Sequence, residues 1–267
     1  MEIIDCHVHQ GDIADVDKAT QWFQTTRLDA AHVFSVSPRK SESDARGSVE
    51  VLAELAQAMP EKIIPLVRVD PLADNAVQFA KWAIKEKGMV GIKMLPNGWY
   101  PDGPEPKDIY KLAEDLAVPI QFHSGILWMS NDCSKYNRPA YWEAMLDFAG
   151  VRFSLAHISW PWTDECIAVV GKFRATNTKD ESRDDCQAWI DLTPGTPAIY
   201  RRDALERCLA CVGADLMIYG SDATFSGPEG QRVRWTGDEK RFGELGCSAE
   251  DIQNIFAGNA RRFLRRA

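Results

Sequence analysis

Nothing in the 267 residues approaches the run of about 20 apolar positions that a membrane-spanning helix needs. Basic residues are outnumbered, 31 Lys and Arg against 39 Asp and Glu, for a net charge of −8. That balance argues against a general nucleic-acid binder, which neutralises phosphates with a basic surface. There is no glycine-rich loop of the dinucleotide or Walker kind, so no nucleotide cofactor is expected. Seven scattered cysteines do not make a disulfide framework, and reduced thiols are expected. Cys208 and Cys211 form a lone Cys-x-x-Cys inside a helical stretch, which reads as core packing without a second pair to complete a zinc site. The first strand-like run begins at Glu2, leaving no room for a signal peptide, and a cytoplasmic location is expected. Histidine is scarce too: there are five.

What is present is a repeating pattern. The chain is 45% hydrophobic, enough for a sizeable core. Short apolar or β-branched runs begin near Glu2, Ala31, Ile63, Val90, Pro119, Arg152, Ala188 and Leu216. Segments with helical spacing lie between them, such as SVEVLAELAQAM, YWEAMLDFAG and DIQNIFAGNARRFL. Eight strand–helix units in about 250 residues predict an α/β fold, a (β/α)8 TIM barrel forming a single domain over residues 1–267. A doubly wound open sheet is the alternative, but no glycine-rich turn follows the first strand. The polar stretch Thr176 to Asp185 reads as a solvated loop. Phe225 to Ser248, after strand eight, reads as a lid, a pocket wall or a surface insertion.

Four of the five histidines fall at the C-terminal ends of predicted strands, where a barrel does its chemistry. His7 and His9 end strand one, His123 strand five and His157 strand six; Asp222 ends strand eight. His32 opens strand two, at the opposite end, and reads as structural. Residues two apart on a strand share a face, so His7 and His9 can approach one ion together. His123 and Asp222 can complete the shell across the barrel mouth. Three imidazoles and a carboxylate suit a divalent metal, zinc first, with manganese or iron(II) as alternatives. Asp5 shares the alternation of His7 and is expected on the inner face, with Cys6 facing the helices.

The opening IIDCHVHQG resembles the strand-one His-x-His motif of the amidohydrolase superfamily. GIKMLP, QFHSG, LAHISW, YGSDAT and the closing NIFAGNARRFL are similar to its amidohydrolase-related (amidohydrolase-2) branch, so the resemblance runs from Ile3 to Leu264. It implies a barrel with one or two metals, ligated by His7, His9, His123 and Asp222. His157 takes the strand-six position and is implied to be a catalytic partner. Lys93, near the end of strand four, is implied to contact substrate, to bridge two metals as a carbamate, or to make a structural ion pair. Relatives often carry Lys-x-His-Pro there. This chain has Lys93, Met94, Leu95 and Pro96, so that histidine's role is absent.

The expected chemistry is hydrolysis of an amide, cyclic amide, ester or lactone by a metal-activated water. Asp222 would serve as general base, and His157 would polarise a carbonyl or stabilise an oxyanion. Trp99, Tyr100, Trp128, Trp160 and Trp162 follow strand ends and offer walls for a flat substrate, or simply pack the loops. Trp128 and Trp160, with Lys93, are the expected substrate contacts. Non-oxidative decarboxylation of an aromatic acid is the runner-up. It is disfavoured because the chain ends straight after helix eight, where decarboxylases tend to continue. A metal-binding barrel without catalysis is the third reading. The expected partner is a small-molecule substrate, with no nucleic acid and no membrane, and a homodimer is left open.

Overall fold

A computed structural model describes residues 1–37, 42–129, 131–179, 186–226 and 235–265. The elements alternate: β1 (Ile4–Gln10), α1 (Val16–Thr26), β2 (Ala30–Phe34), α2 (Glu42–Ala58), β3 (Ile63–Val69), α3 (Ala76–Lys87), β4 (Ile92–Met94), α4 (Lys107–Asp115) and β5 (Ile120–Phe122). Then come β6 (Phe153–Leu155), α5 (Thr163–Asn177), β7 (Ala188–Asp191), α6 (Ala198–Val212), β8 (Met217–Ile218), β9 (Ala223–Phe225), α7 (Trp235–Glu244), α8 (Ala249–Gln253) and α9 (Asn259–Leu264). Local chemistry marks the boundaries. Asp15 caps α1 by accepting from the Lys18 N–H at 2.8 Å, and α3 stops at Gly88, whose φ of 76° suits a residue without Cβ. Among the described residues, no helix is long and apolar enough to cross a membrane.

Among the described residues nine strands lie parallel in one sheet, in the order β8-β7-β6-β5-β4-β3-β2-β1-β9. Every predicted apolar run is a strand, and nearly every strand residue is buried, as when helices cover one face and side chains fill the other. The expected count of eight gives way to nine because the chain breaks between β8 and β9. The Asp222 backbone turns left-handed there, at φ 61°. The broken strand draws the two ends of the sheet together. Cys6 N–H donates to Tyr219 O at 2.9 Å, Asp222 N–H to His7 O at 3.0 Å, and β9 pairs with the far half of β1.

Three local expectations change. After β5 the segment Pro139–Asp147 is a 3₁₀ helix, because Pro139, Trp142 and Met145 bury themselves at a spacing of three. The closing helical run is interrupted by a π turn, Asn254–Gly258, where the Ile255 carbonyl is free to accept the Tyr219 N–H at 3.0 Å. In β1 the register shifts: Asp5 pairs with Ala31 but Val8 with Val33, so three steps oppose two. That bulge undoes the simple alternation. Asp5 and Val8 share a face, Asp5 Oδ1 accepts the His7 and Ser221 N–H groups, and Cys6 has Asp191 and Lys93 among its charged neighbours. Cys6 therefore lies toward the site and Asp5 toward the β8–β9 break, the reverse of the expectation. Of the two loops, residues 180–185 and 227–234 lie outside the described residues.

Candidate active site

The strand ends enclose a cavity of about 230 Å3 lined by His7, His9, Lys93, His123, His157 and Asp222, with Trp128 on its rim. The ligand atoms of His7, His9 and Asp222 lie within 4.8 Å of one another. His9 Nε2 is 3.1 Å and His7 Nε2 3.5 Å from Asp222 Oδ1. His123 lines the same cavity but stands outside this tight group, its ring centre 4.8 Å from that of His157. Its Nε2 is buried without a hydrogen-bond partner among the described residues.

Hydrogen bonds fix which nitrogen of each ring faces the cavity. His7 Nδ1 is 2.7 Å from the Asp191 carboxylate, which can only accept, so Nδ1 carries the hydrogen and Nε2 keeps its lone pair. His157 Nδ1 is 3.2 Å from the Pro194 carbonyl and follows the same logic. Burial holds His7 and His123 well below the ordinary imidazole pKa, and His157 below it, so these rings are neutral at pH 7. Burial pulls the Asp222 carboxyl up, but the His9 hydrogen bond and the surrounding imidazoles outweigh it and hold the group below the usual carboxylate range. These donors fit a divalent ion: lone pairs and a carboxylate converge, and a buried imidazole nitrogen has no protein partner.

Lys93 is 1% exposed, with Nζ 3.2 Å from His7 Nε2 and 4.8 Å from the centre of the Phe34 ring. Burial pushes its pKa down to about 8, against the pull of Asp191 and Asp222. The aromatics divide. Trp128 is exposed at the rim, and Trp160 lies behind it, rings parallel within 9° and centres 6.4 Å apart. The other three pack the fold: Trp99 is buried, Tyr100 meets Tyr136 and Tyr141, and Trp162 lies under Arg138. His32 is structural as expected, with Nδ1 3.1 Å from Gln121 Oε1. Cys208 is buried and Cys211 exposed, both as free thiols.

Sequence reading missed Asp191. It ends β7 within AWID, and no motif marks it; its only signal is an acid closing an otherwise apolar strand.

The chain belongs to the Amidohydrolase family, whose model matches residues 4–266. That family is metal-dependent and includes hydrolases, hydratases and decarboxylases. The fold is similar to that of 2,6-dihydroxybenzoate decarboxylase from Rhizobium, at 14% identity and TM-score 0.69, covering 99% of each chain. It is also similar to 5-carboxyvanillate decarboxylase from Novosphingobium aromaticivorans, which carries bound manganese, at 13% identity and TM-score 0.69, covering 99% of this chain and 97% of that one. 4-Oxalomesaconate hydratase from Rhodopseudomonas palustris is a third, at 17% identity and TM-score 0.68, covering 99% and 96%. No curated protein matches in sequence.

Proposed function

We propose that this chain is a metal-dependent hydrolase, built on a single-domain (β/α)8 barrel whose eighth strand is broken into β8 and β9. Its reaction is cleavage of a C–N or C–O bond in a small, cyclic or carboxylated substrate. The observation that carries the reading is the convergence of His7, His9 and Asp222 on one end of a cavity that also holds Lys93. His7, His9, His123 and Asp222 would hold the ion, zinc first, with manganese or iron(II) as alternatives. Such an ion supplies Lewis acidity, making water acidic near neutral pH.

The residues divide the remaining work. Asp222, ionised at neutral pH, accepts the proton of the attacking water and returns it to the departing nitrogen or oxygen. One C–O bond forms, one C–N or C–O bond breaks, and the proton balance closes on Asp222. His157 presents a lone pair at Nε2, so in this state it accepts a proton; the oxyanion role expected from the sequence requires that it be protonated first. Lys93 sets a positive charge against a substrate carboxylate, and Arg68, its register partner on β3, adds to the same field. Trp128, backed by Trp160, offers a flat wall to a ring.

Decarboxylation of an aromatic acid is the second reading, favoured by the fold likeness to two such enzymes. The extent of the chain no longer argues against it, since the match covers 99% of the Rhizobium enzyme. One assay separates them: lactones, cyclic amides and hydroxybenzoates are offered to the metal-loaded protein, and acid release and CO2 are followed. Ring opening that disappears in Asp222→Asn supports hydrolysis; CO2 without water uptake overturns it in favour of the lyase.

A further inference from the structure

We infer that the last residue of β7 and the turn after it, residues 191–195, are the positioning element of the site: Asp191, locked by Thr193, commits His7 to the tautomer that aims Nε2 into the cavity, while Pro194 does the same for His157. The inference rests on the proposed function for its metal arm only.

Five consecutive residues make these contacts. Asp191 is fully buried, and its two oxygens have separate duties. Oδ2 accepts from His7 Nδ1 at 2.7 Å. Oδ1 accepts the Thr193 N–H at 2.8 Å and also the Thr193 hydroxyl. The carboxylate is therefore clamped from behind and cannot rotate away from His7 without abandoning two donors. Leu192 O accepts from Arg201, which is itself buried against Asp238 at 2.6 Å. Pro194 O accepts from His157 Nδ1. Gly195 and Gly220 allow the close packing. A Cβ on Gly195 would lie 2.6 Å from His157 Cβ, and one on Gly220 would lie 2.6 Å from Thr193 Oγ1 and 2.9 Å from both Asp191 Oδ1 and His7 Cβ.

The physical consequence is specific. A neutral imidazole has one N–H and one lone pair, and a free ring populates both tautomers. Buried carboxylate and carbonyl acceptors at Nδ1 remove that choice. They leave Nε2 of both rings as acceptors inside the cavity, ready for an ion or a proton. A carboxylate behind an imidazole ligand typically contributes 10–100-fold in metal affinity.

Two readouts test this, one of which needs no metal. With five histidines in the chain, the imidazole nitrogen spectrum of the 15N-labelled metal-free protein can be assigned by single substitutions. Wild type is expected to show His7 as the Nδ1–H tautomer, and Asp191→Ala to lose that signature. Zinc affinity, measured by chelator competition, should fall 10–100-fold in Asp191→Ala and fall in Asp191→Asn too, whose single amide oxygen can accept from His7 or from Thr193 but not from both. Should Asp191→Ala fail to fold, Thr193 decides: Thr193→Val should loosen the His7 signal and weaken zinc binding, and Thr193→Ser should restore both. Unchanged imidazole spectra and equal zinc affinity in Thr193→Val and Asp191→Asn would overturn the inference. A wild type that binds no zinc, yet holds His7 as Nδ1–H and releases it in the variants, removes the proposed function and leaves this inference standing.

Discussion

Asp222 sits 3.1 Å from His9 and 3.5 Å from His7 on a left-handed backbone, φ 61°, which Asp adopts more readily than most residues with a Cβ. Replacing it with Asn keeps the shape and removes both the charge and the proton acceptor. Turnover in Asp222→Asn should drop about 10²–10⁴-fold, and the melting temperature at pH 7 should fall as well, because the ionised carboxylate held by His9 and the neighbouring imidazoles stabilises the fold there; steady-state kinetics and thermal unfolding read the two effects. Lys93 should behave in the opposite sense. Its pKa falls from 10.5 free to about 8 in the fold, so the folded protein bears an unfavourable charge at all pH values below about 8. That penalty fades as pH rises from 8 toward 10.5. At pH 7 it is on the order of 3 kcal/mol. Lys93→Met should therefore raise the melting temperature at pH 7, by less at pH 10, and raise KM for a carboxylated substrate. An unchanged melting temperature would remove the claim that this lysine is kept for function.

At the scale of elements, the strand ends are shaped by irregularities. The bulge in β1 turns Cys6 toward the site, and the break between β8 and β9 presents Asp222 to His9. Gly220 lies in that break with no room for a methyl group, so Gly220→Ala should destabilise by roughly 1–3 kcal/mol in denaturant titrations. It should also weaken metal uptake, since the crowded atoms are those of Asp191, Thr193 and His7. Farther out, the buried Arg201–Asp238 pair ties α6 to α7 while Arg201 holds the Leu192 carbonyl. Arg201→Ala leaves Asp238 with Arg241 as its cation among the described residues and should cost about 3–5 kcal/mol, read from the unfolding midpoint. These irregularities were not legible in the sequence. A one-residue register shift leaves the apolar pattern of β1 intact, and only hydrogen bonds to β2 and β9 reveal it.

Over the whole molecule, the neutral buried imidazoles make the metal-free protein acid-sensitive. His7, His123 and His157 take up protons near pH 6.5 when unfolded but resist them when folded, so stability falls as pH drops below 6.5. Asp5 opposes this. Burial pushes its carboxyl from 3.8 to about 7, so its contribution is greatest below pH 3.8 and is lost as pH rises through 7. Three lowered imidazoles outnumber the one raised carboxyl, so the net effect is a loss of stability as pH drops below 6.5. Urea midpoints from pH 7 to pH 5 should fall accordingly, and bound zinc should resist the change until protons displace it. A flat profile would show that the histidines are not buried as neutral rings.

The apolar runs and their punctuation determined the strands, because residues buried on both faces of a parallel sheet must be apolar wherever the chain lies. The positions of four histidines and Asp222 at predicted strand ends pointed to the candidate site, the cavity these residues line, since that end of each strand is fixed by chain direction alone. Contact between residues far apart in the chain was decided by tertiary structure. Asp191 meets His7 across 184 positions, and Lys93 meets it across 86. Such pairings depend on strand order and register, which arise only when the sheet curls and its ends meet. The choice of nitrogen at His7 and His157 follows from those pairings, because a ring takes its tautomer from the acceptor it is packed against.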